Sequence, residues 1–161
     1  MATSGQGIGY TGEDILEEYI SAHIEAESPL LRDIYRQTNL RLLNPRMASG
    51  HIQGRLLKML VAMIRPELIL EIGTFTGYAT LCMAQGMPAN GCIHTVEIDD
   101  ELEDFILKGF KKSPYSDRIH LHIGDALKVV PGLGLQYDMI FLDGEKREYP
   151  EYYSSLLEYL K

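Results

Sequence analysis

The segment Phe141-Leu142-Asp143-Gly144-Glu145-Lys146 closes an apolar stretch with acid, glycine, acid and lysine. Asp143 is a hard oxygen ligand of the kind that suits Mg²⁺ or Ca²⁺. Lys146, next to that acid, has the chemistry of a base toward a phenol or alcohol. Taken alone, the run is a surface turn with a compensated ion pair, so its meaning comes from its surroundings. A second acid stands in Leu70-Glu71-Ile72-Gly73-Thr74-Phe75-Thr76-Gly77-Tyr78. There an apolar strand breaks at glycine and a helix follows, which builds a ledge under a nucleotide-like ligand. Gly73 lets the ligand approach the backbone, and Gly77 lets the helix start pack closely. Glu71 would repel an anionic pyrophosphate but not the sulfonium and ammonium of S-adenosylmethionine. The spacing E-x-G-x-x-x-G also differs from the dinucleotide fingerprint G-x-G-x-x-G, which favours S-adenosylmethionine over a nicotinamide cofactor.

A true G-x-G-x-x-G occurs at Gly7-Ile8-Gly9-Tyr10-Thr11-Gly12. No strand can precede it, so it reads as a flexible Gly/Ser/Thr tail. Glu97 closes the second apolar strand, where a carboxylate is placed to accept both ribose hydroxyls; Asp99 and Asp100 behind it are helix-start acids. In Gly124-Asp125-Ala126 a backbone N–H and the Asp125 carboxylate suit an adenine edge, although Asp125 serves equally well as an N-cap. His120 and His122 share one side of a strand and read as the polar face of an edge strand rather than a metal pair. His23, His51 and His94 support nothing specific.

The elements that must position these residues follow from periodicity. Ile15, Leu16, Tyr19, Ile20 and Ile24 mark a first helix. Ser28-Pro29 reads as N-cap and first position of a second. Asn44 to Gly50 is a loop, and Gln53 to Ile64 is a third helix stopped before Pro66. Alternation then begins: strand Leu68–Ile72, helix Tyr78–Gln85, strand Cys92–Ile98, helix Leu102–Lys111, strand Ile119–Ile123, short helix Ala126–Val130, strand Tyr137–Leu142, helix Tyr149–Lys161. This predicts an α/β, Rossmann-like, doubly wound and mostly parallel sheet, with ligands at the carboxyl ends of the strands. We read residues 1–161 as one domain, with 1–12 as a flexible tail and 13–64 as amino-terminal helices.

Fifteen basic against twenty-three acidic residues give a net charge of −8, which weighs against a nucleic-acid backbone as partner. No stretch has the ~18 apolar residues of a membrane span, and the start lacks the pattern of a secretory signal. Cys82 and Cys92, isolated in apolar elements, read as two buried thiols in a reducing, cytoplasmic compartment.

Taken together, five blocks resemble the cation-dependent O-methyltransferases of the catechol and caffeoyl-CoA type. They are Ser49–Leu57, Leu70–Tyr78, Thr95–Ile98, Gly124–Ala126 and Asp138–Asp143, in order and at family spacing. The resemblance implies S-adenosylmethionine as methyl donor. It implies cofactor contacts from Ser49, Glu71, Gly73, Phe75, Gly77, Tyr78, Ala79, Glu97, Gly124, Asp125, Ala126 and Asp143. It further implies Asp143 as a ligand of Mg²⁺ or another divalent cation, Lys146 as the base, a small catechol-like aromatic as acceptor, and a homodimer. In the implied mechanism the cation acidifies one of two adjacent hydroxyls, Lys146 takes its proton, and methyl transfer follows from orientation.

Two departures accompany the resemblance. Many bacterial relatives have Asp-Ala-Asp-Lys where this chain has Asp143-Gly144-Glu145-Lys146. The family also continues past the equivalent of Lys161 with a Gly-Gly turn and a strand ending in Asp-Asn that carries further metal ligands. The expectation is therefore a carboxyl-terminally incomplete domain whose fourth strand is a long apolar edge, with weak metal binding and doubtful activity by itself. Alternatives are an O-methyltransferase for a hydroxylated base in RNA and a truncated, non-catalytic nucleoside-binding module.

Overall fold

Strand β1, Leu68–Ile72, is buried along nearly its whole length, and the other elements are arranged around it. The structure, a computed structural model, describes residues 12–161. Helices α1 (Gly12–His23), α2 (Pro29–Arg41) and α3 (His51–Ile64) come first. After β1 follow α4 (Tyr78–Gly86), β2 (Cys92–Glu97), α5 (Glu103–Lys111), β3 (Ile119–Ile123), α6 (Ala126–Leu133), β4 (Met139–Leu142) and α7 (Tyr149–Leu156). The sheet is parallel throughout, in the order β3-β2-β1-β4. The strand order reverses beside β1, which is where open α/β sheets place their ligand crevice.

Side-chain alternation along the strands divides the core in two. Ile69, Ile93 and Ile119 face Leu57 and Val61 of α3, α4, and Ile106 and Phe110 of α5. Leu70, Ile72 and Val96 face Val130 of α6 and Tyr152 and Leu156 of α7. Helix α4 lies between α3 and the sheet, so it is apolar on all sides rather than amphipathic. The doubly wound arrangement expected from the alternation is thus present, with α2 and α3 packed on one face.

Several boundaries move for local reasons. Ser28 caps α2 as expected, its hydroxyl accepting from Leu31 N–H at 3.3 Å. Helix α3 starts at His51 and ends where Arg65 turns left-handed, at φ 56°. The loop before it contains a 3₁₀ turn, Pro45–Met47, and α5 is preceded by another, Asp100–Leu102. Helix α6 runs past Pro131 to stop at Gly134. The final helix ends at Leu156, not Lys161, and gives way to a 3₁₀ turn, Leu157–Tyr159. Strand β4 begins at Met139; Tyr137 instead forms a bridge with Leu160, its N–H donating to Tyr159 O at 2.7 Å. The expected long apolar edge is therefore four half-buried residues, with the returning chain beside its first end. Cys82 is buried but Cys92 is only half-buried, and both are free thiols. The glycine motif from Gly7 lies outside the described residues except for Gly12, which opens α1.

Candidate active site

Beyond the carboxyl ends of β1, β2 and β4 lies a cavity of about 790 Å³, within the range of small-molecule sites. Each strand reaches it through a turn that the sequence makes unusual. After β1 the chain is left-handed at Gly73, Phe75 and Gly77 (φ 95°, 49° and 75°). A Cβ on Gly73 would fall 2.5 Å from the Asp143 carbonyl oxygen, so this glycine lets the β1 and β4 turns touch. The close approach at Gly73 is thus made by the protein's own backbone, at a position that also lines the cavity. A Cβ on Gly77 would overlap the Phe110 ring, as expected of a tightly packed helix start.

Glu97 is the best-held acid on this rim. It is only 6% exposed, yet it lines the cavity. One carboxylate oxygen accepts from Phe75 N–H at 2.7 Å, the other from Asp99 N–H at 3.0 Å. Each oxygen keeps a lone pair for a further donor. Gly124, left-handed in the turn after β3, donates its N–H to the Glu97 carbonyl at 2.8 Å and brings that turn to the same wall.

Of the residues singled out from sequence, Gly73, Phe75, Glu97, Gly124, Ala126, Asp143 and Lys146 line the cavity. Ser49, Glu71, Gly77, Tyr78, Ala79 and Asp125 do not. Glu71 is completely buried beneath the loop, where one oxygen accepts from Thr80 at 2.5 Å and Thr95 at 2.6 Å. Burial, with the charges of Asp143 and Glu97 adding to it, raises its pKa to about 7. Its other oxygen and the Thr76 hydroxyl are buried without partners among the described residues. Tyr78 donates to Glu27 at 2.6 Å and ties α4 to the segment before α2. Asp125 caps α6, accepting from Leu127 N–H at 3.0 Å and pairing with Lys128 at 2.9 Å. The capping role is thus the one its contacts describe.

Asp143 stands at the end of β4, its N–H on the Ile72 carbonyl at 2.8 Å. Partial burial pushes its carboxyl above the usual range, with Lys146 acting in the other direction. Lys146 is exposed and opens a 3₁₀ turn that Glu145 caps. Among the described residues no second and third ligand converge with Asp143; the one such group is Cys92, His94 and His120, elsewhere on the sheet. A divalent cation at Asp143 therefore has one carboxylate here and no set of ligands.

Sequence reasoning missed a whole wall. Arg41, Leu42, Leu43, Asn44 and Met47 close the cavity from the end of α2, and Ile98, 69% exposed, adds an apolar surface beside Glu97. Nothing local marks these positions; they are brought in by tertiary packing. The charge of the whole is lopsided: Glu97, Asp99, Glu101, Asp143, Glu145 and Glu148 face only Arg41 and Lys146. Such a rim attracts a cation and repels phosphates.

A sequence model described as O-methyltransferase matches residues 18–161. The chain belongs to the O-methyltransferase family. It is 31% identical over 113 residues to a catechol O-methyltransferase of Niastella koreensis, covering 68% of this chain and 51% of that protein. It therefore spans about half the length of that relative. It is 28% identical over 167 residues to a caffeoyl-CoA O-methyltransferase of Stellaria longipes, covering 99% of this chain and 69% of the other. Among solved structures it superimposes on the O-methyltransferase TomG of Streptomyces achromogenes, determined in complex with SAM, with a TM-score of 0.84 and 27% identity. That match covers 91% of this chain and 67% of TomG. The family and the methyltransferase version of the doubly wound fold agree with the resemblance drawn from the motifs. Among the described residues no helix is long and apolar enough to cross a membrane.

Proposed function

We propose that the chain binds S-adenosylmethionine in the acid-rimmed cavity and serves methyl transfer to a hydroxyl of a small catechol-like aromatic. The observation that carries this reading is Glu97, held by two backbone N–H groups with lone pairs left over. That geometry suits a vicinal diol such as a ribose, and exposed Ile98 beside it offers a flat apolar face for a base. The unpartnered oxygens of Glu71 and Thr76 leave buried polar capacity under the same loop. The excess of carboxylates favours a sulfonium over a pyrophosphate and weighs against an RNA backbone.

The bound cofactor supplies an electrophilic methyl group. The protein's part is orientation and proton removal. Of the two cations on the cavity wall, Arg41 does not give up its proton, which leaves Lys146 to take the proton of the acceptor hydroxyl. With S-adenosylmethionine bound, methyl transfer to the acceptor oxygen would release S-adenosylhomocysteine, and the chain's own part would be to hold the two in line. Asp143 would provide one hard oxygen ligand for a divalent cation, which would acidify the acceptor hydroxyl.

The homodimer reading is supported by a stripe on α3, Leu56, Met59, Leu60, Met63 and Ile64, all exposed at helical spacing. A cytoplasmic setting is supported by two free thiols. S-adenosylhomocysteine should raise Tm where NAD does not, and catechol should yield S-adenosylhomocysteine from S-adenosylmethionine. Stabilisation by NAD alone would sink the cofactor; stabilisation by S-adenosylhomocysteine without turnover would favour the binding module.

A further inference from the structure

The parallel register of β2 and β3 places a set of soft ligands at the opposite end of the sheet from the cavity. Cys92 and His94 are two residues apart on β2 and so share a face, and His94 is registered beside His120 of β3. The ligand atoms of Cys92, His94 and His120 all lie within 4.8 Å of one another. Tetrahedral zinc with one sulfur and two nitrogens needs separations of about 3.3–3.6 Å, so side-chain rotations that close the widest gap by about 1 Å would bring the three together. We propose that Cys92, His94 and His120 form a binding site for a borderline divalent cation of the zinc class, joining β2 to β3.

Two further groups fit a ligand there. His94 Nδ1 and His122 Nε2 are 3.0 Å apart, so one ring donates to the other and supplies the outer hydrogen bond that orients ligating imidazoles. Tyr137 packs edge-on against His94 at 6.2 Å, is fully buried, and has a hydroxyl with no partner among the described residues. A water completing the ion's shell would give that hydroxyl a partner. A polar edge-strand face accounts for exposed His120 alone; it does not account for a half-buried imidazole and thiol on the neighbouring strand. Thiolate and imidazole select zinc-class ions over Mg²⁺ and Ca²⁺, which separates this site in chemistry as well as place from Asp143.

The test is titration of the metal-stripped 161-residue chain with Zn²⁺, read by calorimetry and Tm, and with Co²⁺, read as a thiolate-to-metal charge-transfer band. Stoichiometric Zn²⁺ binding with a raised Tm and the band are expected. Cys92→Ser should abolish the band and the Tm rise. His120→Ala, at an exposed position and so tolerated by the fold, should abolish the Tm rise, while His122→Ala should weaken binding by about ten- to a hundredfold. Asp143→Ala should change neither readout. No Zn²⁺ binding, or binding that survives Cys92→Ser or His120→Ala, overturns the site.

Discussion

Strand β2 carries two kinds of chemistry at its two ends. At its carboxyl end Glu97 is fixed by loop amides and opens on a cavity ringed by carboxylates. At its amino end Cys92 and His94 meet histidines of β3 through strand register alone. The first site is built from turns that strain the backbone, and the second from regular pairing that strains nothing. Hard oxygen and cationic ligands belong to the first, soft ions to the second. Substitutions at one end should therefore leave the other end's readout alone.

The largest expected effect is at Lys146. Lys146→Ala should lower kcat for catechol methylation by about 10²–10⁴-fold, leaving the affinity for S-adenosylmethionine and for Zn²⁺ unchanged. A kcat like that of the wild type would remove Lys146 as the base and leave the rim a binding surface only.

Glu71 comes next, as the buried acid between the two regions. Its pKa is raised from 4.5 to about 7, by burial first, so the native state holds its proton more tightly than the unfolded chain. Stability tied to Glu71 is fully present below about pH 4.5 and is lost as pH rises through about 7, on the order of 3 kcal/mol in total. The groups facing it are Thr80 and Thr95 by hydrogen bonds and Asp143 and Glu97 by charge. Glu71→Gln should flatten this part of the Tm–pH curve, making the variant the more stable protein near pH 8. Identical curves for the two proteins would mean that Glu71 titrates in the fold as it does in the unfolded chain, so that it is ionised above about pH 4.5. It would then act on the cavity as the full negative charge assumed from sequence.

The two ends also differed in how far the sequence disclosed them. The glycine loop, Glu97 and Asp143 sit where strands stop, and strand ends are marked locally by glycine and acid, so their common rim was legible. The bounds of β1 and β3 were likewise legible from apolar runs. The burial of Glu71 was not legible, because its position one residue inside the strand gives no sign that it turns under the loop. The α2 wall from Arg41 to Met47 depends on how a helix lies against the sheet, which periodicity does not encode. The Cys92–His94–His120 group needs the β2–β3 register; the alternation of each strand was visible, but not which residue of one lies opposite which of the other. Tyr137 left β4 because the segment returning after α7 competes for its backbone.

Glu97→Ala probes the carboxyl end directly. It removes charge-assisted hydrogen bonds to the ligand and also the acceptor of two buried-side N–H groups. Affinity for S-adenosylmethionine should fall by about 1.5–3 kcal/mol, roughly ten- to a hundredfold, and Glu97→Gln should recover part of it. Calorimetry showing unchanged affinity in Glu97→Ala would separate the cavity from the ribose.

The smallest effect is expected at Asp125, and it sharpens the contrast within the rim itself. Its carboxylate is occupied by Leu127 N–H and Lys128, which together hold its pKa below the usual range, and it does not line the cavity, whereas its neighbours Gly124 and Ala126 do. If the cap is its whole role, Asp125→Asn should keep the helix start, since asparagine caps as well as aspartate. Asp125→Ala should lower Tm slightly as α6 frays. Neither change should alter affinity for S-adenosylmethionine by calorimetry, because the contact to a base on this wall would come from the backbone between Gly124 and Ala126. A loss of affinity in Asp125→Asn with Tm intact would assign the carboxylate to the ligand after all. It would show that this acid, like Glu97, serves the fold and the cavity at once.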